Sequence, residues 1–391
     1  MQLLLEEEAI LAGESGETRQ QMMEILVALG KVFSAERLVP IQSAQVSGAS
    51  YKTIGEAGLE WLSRLEARVL VPTVLNPVGM DRVLWREMEI SPEFAKKQEA
   101  VISAYARLGV KLECTCTPYY LYQTRFGDHL AWSESSAVAY ANSVIGARTN
   151  REGGPSALAA AIIGKTPEYG LHRISERKPQ VVVIVEGASG WDESALYGAL
   201  GYHAGKSIGN TIPFFRGIRP KRDQLKALGA AMAASGAVAL FHVEGITPEA
   251  RIFGYDVSGL EVITVEPQEI MELMERIPVD AVALGCPHCS SDELRRIASL
   301  LEGRTVTLPL FVFAARRVIE ATPDAVAAIE RSGGRVYADT CMVVSPALEK
   351  YGSIMVNSGK AFAYVPNMCG AAVRIGTTEA CIEAAAGRPS V

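Results

Sequence analysis

The sequence predicts an α/β fold with mostly parallel sheets, and three observations carry that expectation. Apolar runs of strand length recur along the whole chain, helical patterns separate many of them, and several strand ends run directly into a cysteine. Residues 6–11 and 17–32 place Met22, Ile25, Leu26 and Leu29 at helical spacing, with Gly30 near the end, and residues 37–41 then read as a short buried strand. Further strands are expected at residues 67–72, 110–116, 180–185, 237–243, 281–285, 308–313, 335–339 and 354–357. Helical patterns fall at residues 92–108, 222–234, 267–276, 291–302 and 323–332. The clearest seam lies at 258–268. It divides an N-terminal α/β region over 1–260, expected as two interleaved subdomains, from a C-terminal α/β domain over 261–391.

Composition narrows the function. The 391 residues carry 38 Lys and Arg against 44 Asp and Glu, and they are 49% hydrophobic and 21% charged, which is ordinary globular composition. Without a basic run the chain lacks the footprint of a phosphate-tracking nucleic-acid binder. Its length excludes a small disulfide-stapled scaffold. The start, Met1 to Glu8, has no basic segment before its leucines and turns acidic at once, so no export is expected and a cytoplasmic location is. The longest apolar stretch, 227–243, contains Ser235 and His242 and is too short to span a bilayer, so no membrane association is expected. A small anionic ligand remains open.

Seven cysteines in such a chain are expected to be reduced thiols. Cys114 and Cys116 close one predicted strand, Cys286 and Cys289 follow Gly285 at the end of another, Cys341 follows Asp339, and Cys369 precedes Gly370. A single such cysteine is as well explained as a small buried hydrophobe. Repetition at strand ends is not, because ligand crevices of open α/β sheets lie there and convergent soft thiols suit zinc or iron–sulfur clusters. Cys286-Pro287-His288-Cys289 also has the spacing of a redox dithiol, and a zinc site using His288 is conceivable.

Polar loops accompany the cysteines. Residues 47–52 precede a helical pattern from Thr53 and offer backbone N–H groups and hydroxyls to an anion, or only a helix cap. Residues 75–81 follow a strand, and 132–136 place Glu134 among serines. The loop 142–156 collects Arg148 and Arg151 with asparagines and glycines, a composition suited to carboxylate or phosphate recognition. Asn357-Ser358-Gly359-Lys360 adds a cation but lacks the spacing of a Walker A loop. The five histidines are scattered and read as packed or surface residues.

Taken in order, residues 45–51, Cys116-Thr117-Pro118-Tyr119, Glu134-Ser135-Ser136-Ala137, the 146–156 loop, Gly285-Cys286-Pro287-His288, Asp339-Thr340-Cys341 and Asn357-Ser358-Gly359-Lys360 resemble the large subunit of the aconitase X family. The likeness runs from about Leu4 to Gly370. It implies an aconitase-like multi-domain α/β fold and a hydro-lyase that carries a 4Fe-4S cluster on Cys116, Cys286 and Cys341, leaving Cys114 and Cys289 off the cluster. It implies substrate contacts at Gly48, Ala49, Ser50, Asn76, Pro77, Glu134, Ser135 and Lys360; Arg148 and Arg151 join them from charge alone. A separate small swivelling-domain subunit is the implied partner and the implied source of the catalytic base. For the unfused archaeal type the likeness implies dehydration of (R)-5-phosphomevalonate to trans-anhydromevalonate 5-phosphate in a modified mevalonate pathway. The fused relatives imply cis-3-hydroxy-L-proline as the competing substrate, and a scaffold subunit without a cluster is the alternative of a different class.

Overall fold

The computed structural model describes residues 1–274 and 277–387. Three parallel sheets, each faced by helices, dominate the described chain. The first has the strand order Lys111–Cys114, Thr73–Leu75, Ala44–Val46, Ala131–Trp132. These strands are only two to four residues long, so their side chains gain little from the ladder and much from the helices against them. Helix Glu17–Val32 buries Met22, Met23 and Leu26 in the same core as Leu158 and Ile162 of helix Gly154–Ile163.

The strand expected at 37–41 forms as Leu38–Pro40, paired antiparallel with Lys165–Pro167. The strand expected at 67–72 does not form. There the N–H groups of Val69 and Leu70 bond the carbonyls of Leu108 and Ala161, and sheet pairing starts only past Pro72, at the fully buried Thr73–Leu75.

The second sheet runs Glu261–Val265, Val181–Val185, Pro213–Arg216, His242–Val243. Glu261 to Val265 pair with Val181 to Val185 along their whole length, so the expected division after residue 260 falls inside this sheet. The helix expected at 267–276 is seen as Pro267–Glu272; its expected end lies outside the described residues. The apolar stretch 227–243 is split between helix Arg222–Ser235 and strand His242–Val243, and no helix among the described residues is long and apolar enough to cross a membrane.

The third sheet has the order Arg335–Ala338, Leu310–Ala314, Ala281–Cys289, Ser353–Val356, Ala372–Ile375. Its central strand is buried at every position, and its register against Leu310–Ala314 shifts between Leu284 and Cys289. Gly285 makes that shift possible: φ is +100°, and a Cβ there would sit 2.1 Å from the Phe313 carbonyl oxygen. The following Cys286–Pro287 bond is cis. Beyond the irregularity Cys286 packs with Phe313 and Tyr337, whereas Cys289 packs with Leu294 and Ile297 in a different cluster.

The sheets are tied together at specific points. Val78 N–H bonds the Asp339 carbonyl at 2.8 Å and Cys341 N–H bonds the Val78 carbonyl at 3.1 Å, joining the first unit to the third. Arg177, fully buried, pairs with Glu249 at 2.7 Å and donates to the carbonyls of Asn142 and Ala147 at 3.0 Å, joining the first unit to the second.

Candidate active site

The three loops that follow strands Ala44–Val46, Thr73–Leu75 and Ala131–Trp132 meet two segments that follow strands of the third sheet at a cavity of about 390 Å³. Ser47, Asn76, Pro77, Glu134, Ser135, Arg151 and Glu152 line it from the first unit; Cys341, Val343, Val344, Lys360, Tyr364 and Met368 line it from the third. All the expected substrate contacts except Gly48, Ala49, Ser50 and Arg148 therefore face this space.

The charge at its centre is a buried pair. Lys360 stands in the first turn of helix Gly359–Cys369, where the helix dipole disfavours a cation, so another group must hold it there. Glu134 does so. Its Oε1 accepts from Lys360 Nζ, whose other bond goes to Ser136 Oγ at 3.1 Å. Asn76 Nδ2 donates to Glu134 Oε2 at 2.6 Å, and the Ser135 and Ser136 hydroxyls lie 3.4 and 3.3 Å from Oε1. Burial pushes the Glu134 carboxyl up, but the charge and hydrogen bond of Lys360 outweigh it, and the group titrates at about 2. Lys360, disfavoured by burial and favoured by Glu134, is raised above the ordinary lysine range. Both members are ionised at neutral pH. The amide oxygen of Asn76 is buried without a hydrogen-bond partner, an acceptor left over on the cavity wall.

Glu134 itself is fixed from behind. Its N–H lies 3.3 Å from Gln45 Oε1, and Gln45 Nε2 donates to the Thr115 carbonyl at 2.7 Å, so one buried glutamine sets both the carboxylate loop and the Cys116 loop.

Behind the pair lie the thiols. Cys116, Cys286 and Cys341 are free, as are the other cysteines. Burial pushes the Cys116 thiol up to about 12, with Lys360 opposing, and raises Cys286 and Cys341 as well. The charges of Cys116, Cys341, Lys360 and Glu134 all bear on the Cys286 thiol, Lys360 lowering its pKa and the others raising it. Among the described residues no three His, Cys, Asp or Glu form a site for a single metal ion. The donor set does fit an iron–sulfur cluster: three unpaired thiols drawn from separate loops, one of them on the cavity wall, with a main-chain N–H on Cys116 Sγ at 3.1 Å.

The other cysteine readings fare differently. Cys286-Pro287-His288-Cys289 lies in a strand rather than at a helix start, and its two thiols point into different clusters, which ends the dithiol reading. Both ring nitrogens of His288 are engaged, by Thr115 Oγ1 and the Thr340 carbonyl, which ends the zinc reading. Cys114 is buried in the core of the first unit.

Of the 142–156 loop, only its end reaches the cavity. Asn142 and Asn150 are spent on the fold: Asn142 bonds Thr149, Ala239 and Arg177, and Asn150 bonds Tyr169 and Leu171. Arg148 lies beside the stacked His129 and His172 and reaches the His172 carbonyl at 3.5 Å, so it is withdrawn as a substrate contact. Arg151 is exposed on the rim. Gly48, Ala49 and Ser50 stand behind Ser47. The Ala49 carbonyl accepts from Gln98 Nε2 at 2.7 Å, and Ser50 Oγ lies 3.4 Å from the Val344 carbonyl, so this turn bridges to the Cys341 loop. Glu152 was not among the expected residues; it is buried, bonded by Ser156 Oγ at 2.6 Å, and its carboxyl is raised by that burial. The raised carboxyl becomes visible only in the fold.

Comparison with known proteins agrees with this geometry. Family models match the chain in three consecutive stretches: aconitase X first domain over residues 1–175, second domain over 179–275 and third domain over 279–387. The chain is 55% identical to the phosphomevalonate dehydratase large subunit of Methanosarcina mazei, over 99% of its own length and 98% of that protein's. It is 34% identical to the cis-3-hydroxy-L-proline dehydratase of Pseudomonas aeruginosa, over 97% of this chain and 69% of that one. The crystal structure of Thermococcus kodakaraensis aconitase X in its holo-form superposes with a TM-score of 0.91 at 46% identity, covering 98% of this chain and all of the other.

Proposed function

The chain belongs to the aconitase X family, and on that premise we propose that it is the large subunit of a hydro-lyase that dehydrates (R)-5-phosphomevalonate to trans-anhydromevalonate 5-phosphate, a step of a modified mevalonate route to isoprenoids. The observation that carries this reading is the cavity in which a buried, ionised Glu134–Lys360 pair and an unpartnered Asn76 amide oxygen face the Cys341 thiol. Identity of 55% to an archaeal phosphomevalonate dehydratase large subunit, against 34% to a hydroxyproline dehydratase, favours the phosphorylated substrate.

Cys116, Cys286 and Cys341 are the residues that would hold a 4Fe-4S cluster, which when bound supplies a Lewis-acidic iron toward the leaving hydroxyl and the carboxylate. Loss of water breaks the C–O bond of the hydroxyl and a C–H bond beside the carboxylate, leaving a double bond between the two carbons. Lys360 supplies a fixed cation for the carboxylate end, and the Asn76 amide oxygen accepts from a substrate hydroxyl. Arg151 on the rim offers a fork for the phosphate. Gly48, Ala49 and Ser50 shape the wall that joins these groups to the Cys341 loop.

Among the described residues, the carboxylates that line the cavity are both engaged. Glu134 titrates at about 2 and is held by Lys360, and Glu152 is occupied by Ser156 and Thr166. The family resemblance, and the 'large subunit' name of its relatives, assign the proton acceptor to a separate small subunit closing over the cavity, and on that reading the large subunit alone should be nearly inactive. The test is anaerobic reconstitution with iron, sulfide and the small subunit, with (R)-5-phosphomevalonate and cis-3-hydroxy-L-proline offered in parallel. Turnover of the first supports the reading. Turnover of the second alone moves the substrate, and activity without bound iron would favour a subunit that only scaffolds its partner.

A further inference from the structure

One buried side chain, on the strand that bears Cys286, bonds both of the other thiol-bearing loops. The ring of His288, two residues past Cys286, places Nε2 2.8 Å from the carbonyl oxygen of Thr340, the residue before Cys341. Its Nδ1 lies 3.1 Å from the hydroxyl of Thr115, the residue before Cys116. A carbonyl only accepts, so Nε2 carries the proton and Nδ1 accepts from Thr115. Thr115 Oγ1 in turn takes the Thr117 N–H at 3.0 Å, which locks the turn around Cys116. The main-chain N–H of His288 donates to Cys116 Sγ at 3.1 Å. Its carbonyl lies 3.4 Å from Lys226 Nζ, which is anchored on Glu293 in the first turn of helix Ser291–Leu300. His288, Thr115, Thr117 and Thr340 are each at most 1% exposed, so water does not compete for these bonds.

We propose that His288 is a positioning residue whose ring sets the mutual register of Cys116, Cys286 and Cys341 and, by holding the segment that aims its main-chain N–H at Cys116 Sγ, tunes the electron affinity of a cluster held there. This rests on the reading of those three cysteines as cluster ligands. The ring spans two units: one nitrogen holds the first unit's cysteine loop and the other a loop of the third. An N–H donated to a ligating sulfur stabilises negative charge on it, and hence the reduced cluster; side-chain variants keep this main-chain N–H, but releasing the ring's two anchors lets it drift from Cys116 Sγ, and a longer bond moves the reduction potential to more negative values.

The experiment compares wild-type large subunit with His288→Ala, His288→Gln, His288→Asn and Thr115→Val after anaerobic reconstitution. It reads iron retained against a chelator, the reduction potential followed by visible absorption, and the melting of the metal-free chain. Gln can keep the donor toward Thr340, and Asn the acceptor toward Thr115; Thr115→Val removes the hydroxyl that both Nδ1 and the Thr117 N–H need. His288→Ala should weaken iron retention about 10- to 100-fold, the usual range for residues that support a metal ligand, and shift the potential of the remaining cluster negative. Gln and Asn should each recover part of the loss, and Thr115→Val should shift the potential in the same direction. Wild-type retention and potential in His288→Ala overturn the inference, as does a lowered melting point with both unchanged. A wild-type chain that takes up no iron overturns the ligand reading itself and this inference with it.

Discussion

Lys360→Ala is expected to destabilise the metal-free chain by roughly 3 kcal/mol at pH 7, and the figure follows from what the substitution strands. The two side chains are 6% and 12% exposed, so this is a buried pair, for which removing one partner costs about 3–5 kcal/mol. Glu134 keeps Asn76 at 2.6 Å and two serine hydroxyls near 3.4 Å, which places the loss at the low end of that range. With Lys360 gone, burial is the largest remaining influence on Glu134 and raises its carboxyl, so the stranded group accepts a proton on mild acidification. The deficit against wild type should therefore be largest at pH 7 and shrink toward pH 4.5. Urea unfolding of wild type, Lys360→Ala, Glu134→Gln and the double variant at both pH values gives the coupling directly. The double variant should be less destabilised than the sum of the two single ones by about 2 kcal/mol. A single-variant deficit under about 1 kcal/mol, as for a surface pair, or one equal at both pH values, would refute the reasoning. In the reconstituted complex the same substitution should raise KM about 10- to 150-fold, the loss of one charge-assisted hydrogen bond of about 1.5–3 kcal/mol, and leave the iron content unchanged.

Three further outcomes follow from the same geometry. Cys116→Ser, Cys286→Ser and Cys341→Ser should each lower bound iron per chain, whereas Cys289→Ser, buried in another cluster, should cost stability and spare the iron; iron analysis beside melting separates the two. Gly359→Ala places a Cβ 2.1 Å from the Gly198 carbonyl oxygen and must displace the helix start that carries Lys360, so a loss of about 1–3 kcal/mol with a raised KM and normal iron is expected. Because the Glu134 carboxyl is held at about 2 in the folded chain against an ordinary 4.5, its contribution of about 3 kcal/mol is complete above pH 4.5 and disappears as pH falls toward 2. Acid unfolding of Glu134→Gln should lack that component.

The alternation of strands and helices was legible because strands such as Val181–Val185, between Gln180 and Glu186, and Leu310–Ala314, after Pro309, are continuous apolar runs. Ala44–Val46 and Ala131–Trp132 were not, since two or three residues carry no periodicity and their pairing is decided by helices distant in sequence. Strand Glu261–Val265 was passed over as a seam because its outer positions are exposed, as befits a sheet edge. At the site, the strand-end cysteines and the cluster of residues around Glu134 and Lys360 stood out as residue types at telling places. Arg148 stood out equally, and the structure turns it toward His172 instead; charge in a loop says nothing about which side of the loop it faces. Gln45 and Glu152 left no signal of that kind, and His288 stood out only as a conceivable zinc ligand, because what distinguishes all three is the set of buried partners that only the fold assembles.

The placement of the three thiols has a consequence for how the protein is made. Cys116 belongs to the first unit and Cys286 and Cys341 to the third, with the whole second sheet encoded between them. A chain still emerging from the ribosome cannot bring more than one of the three sulfurs to the site until the last sheet has closed on the Val78 bridge. If the three sulfurs hold a cluster as proposed, iron delivery must wait for a completed, docked polypeptide, and a chain stopped before residue 341 should fail to retain iron.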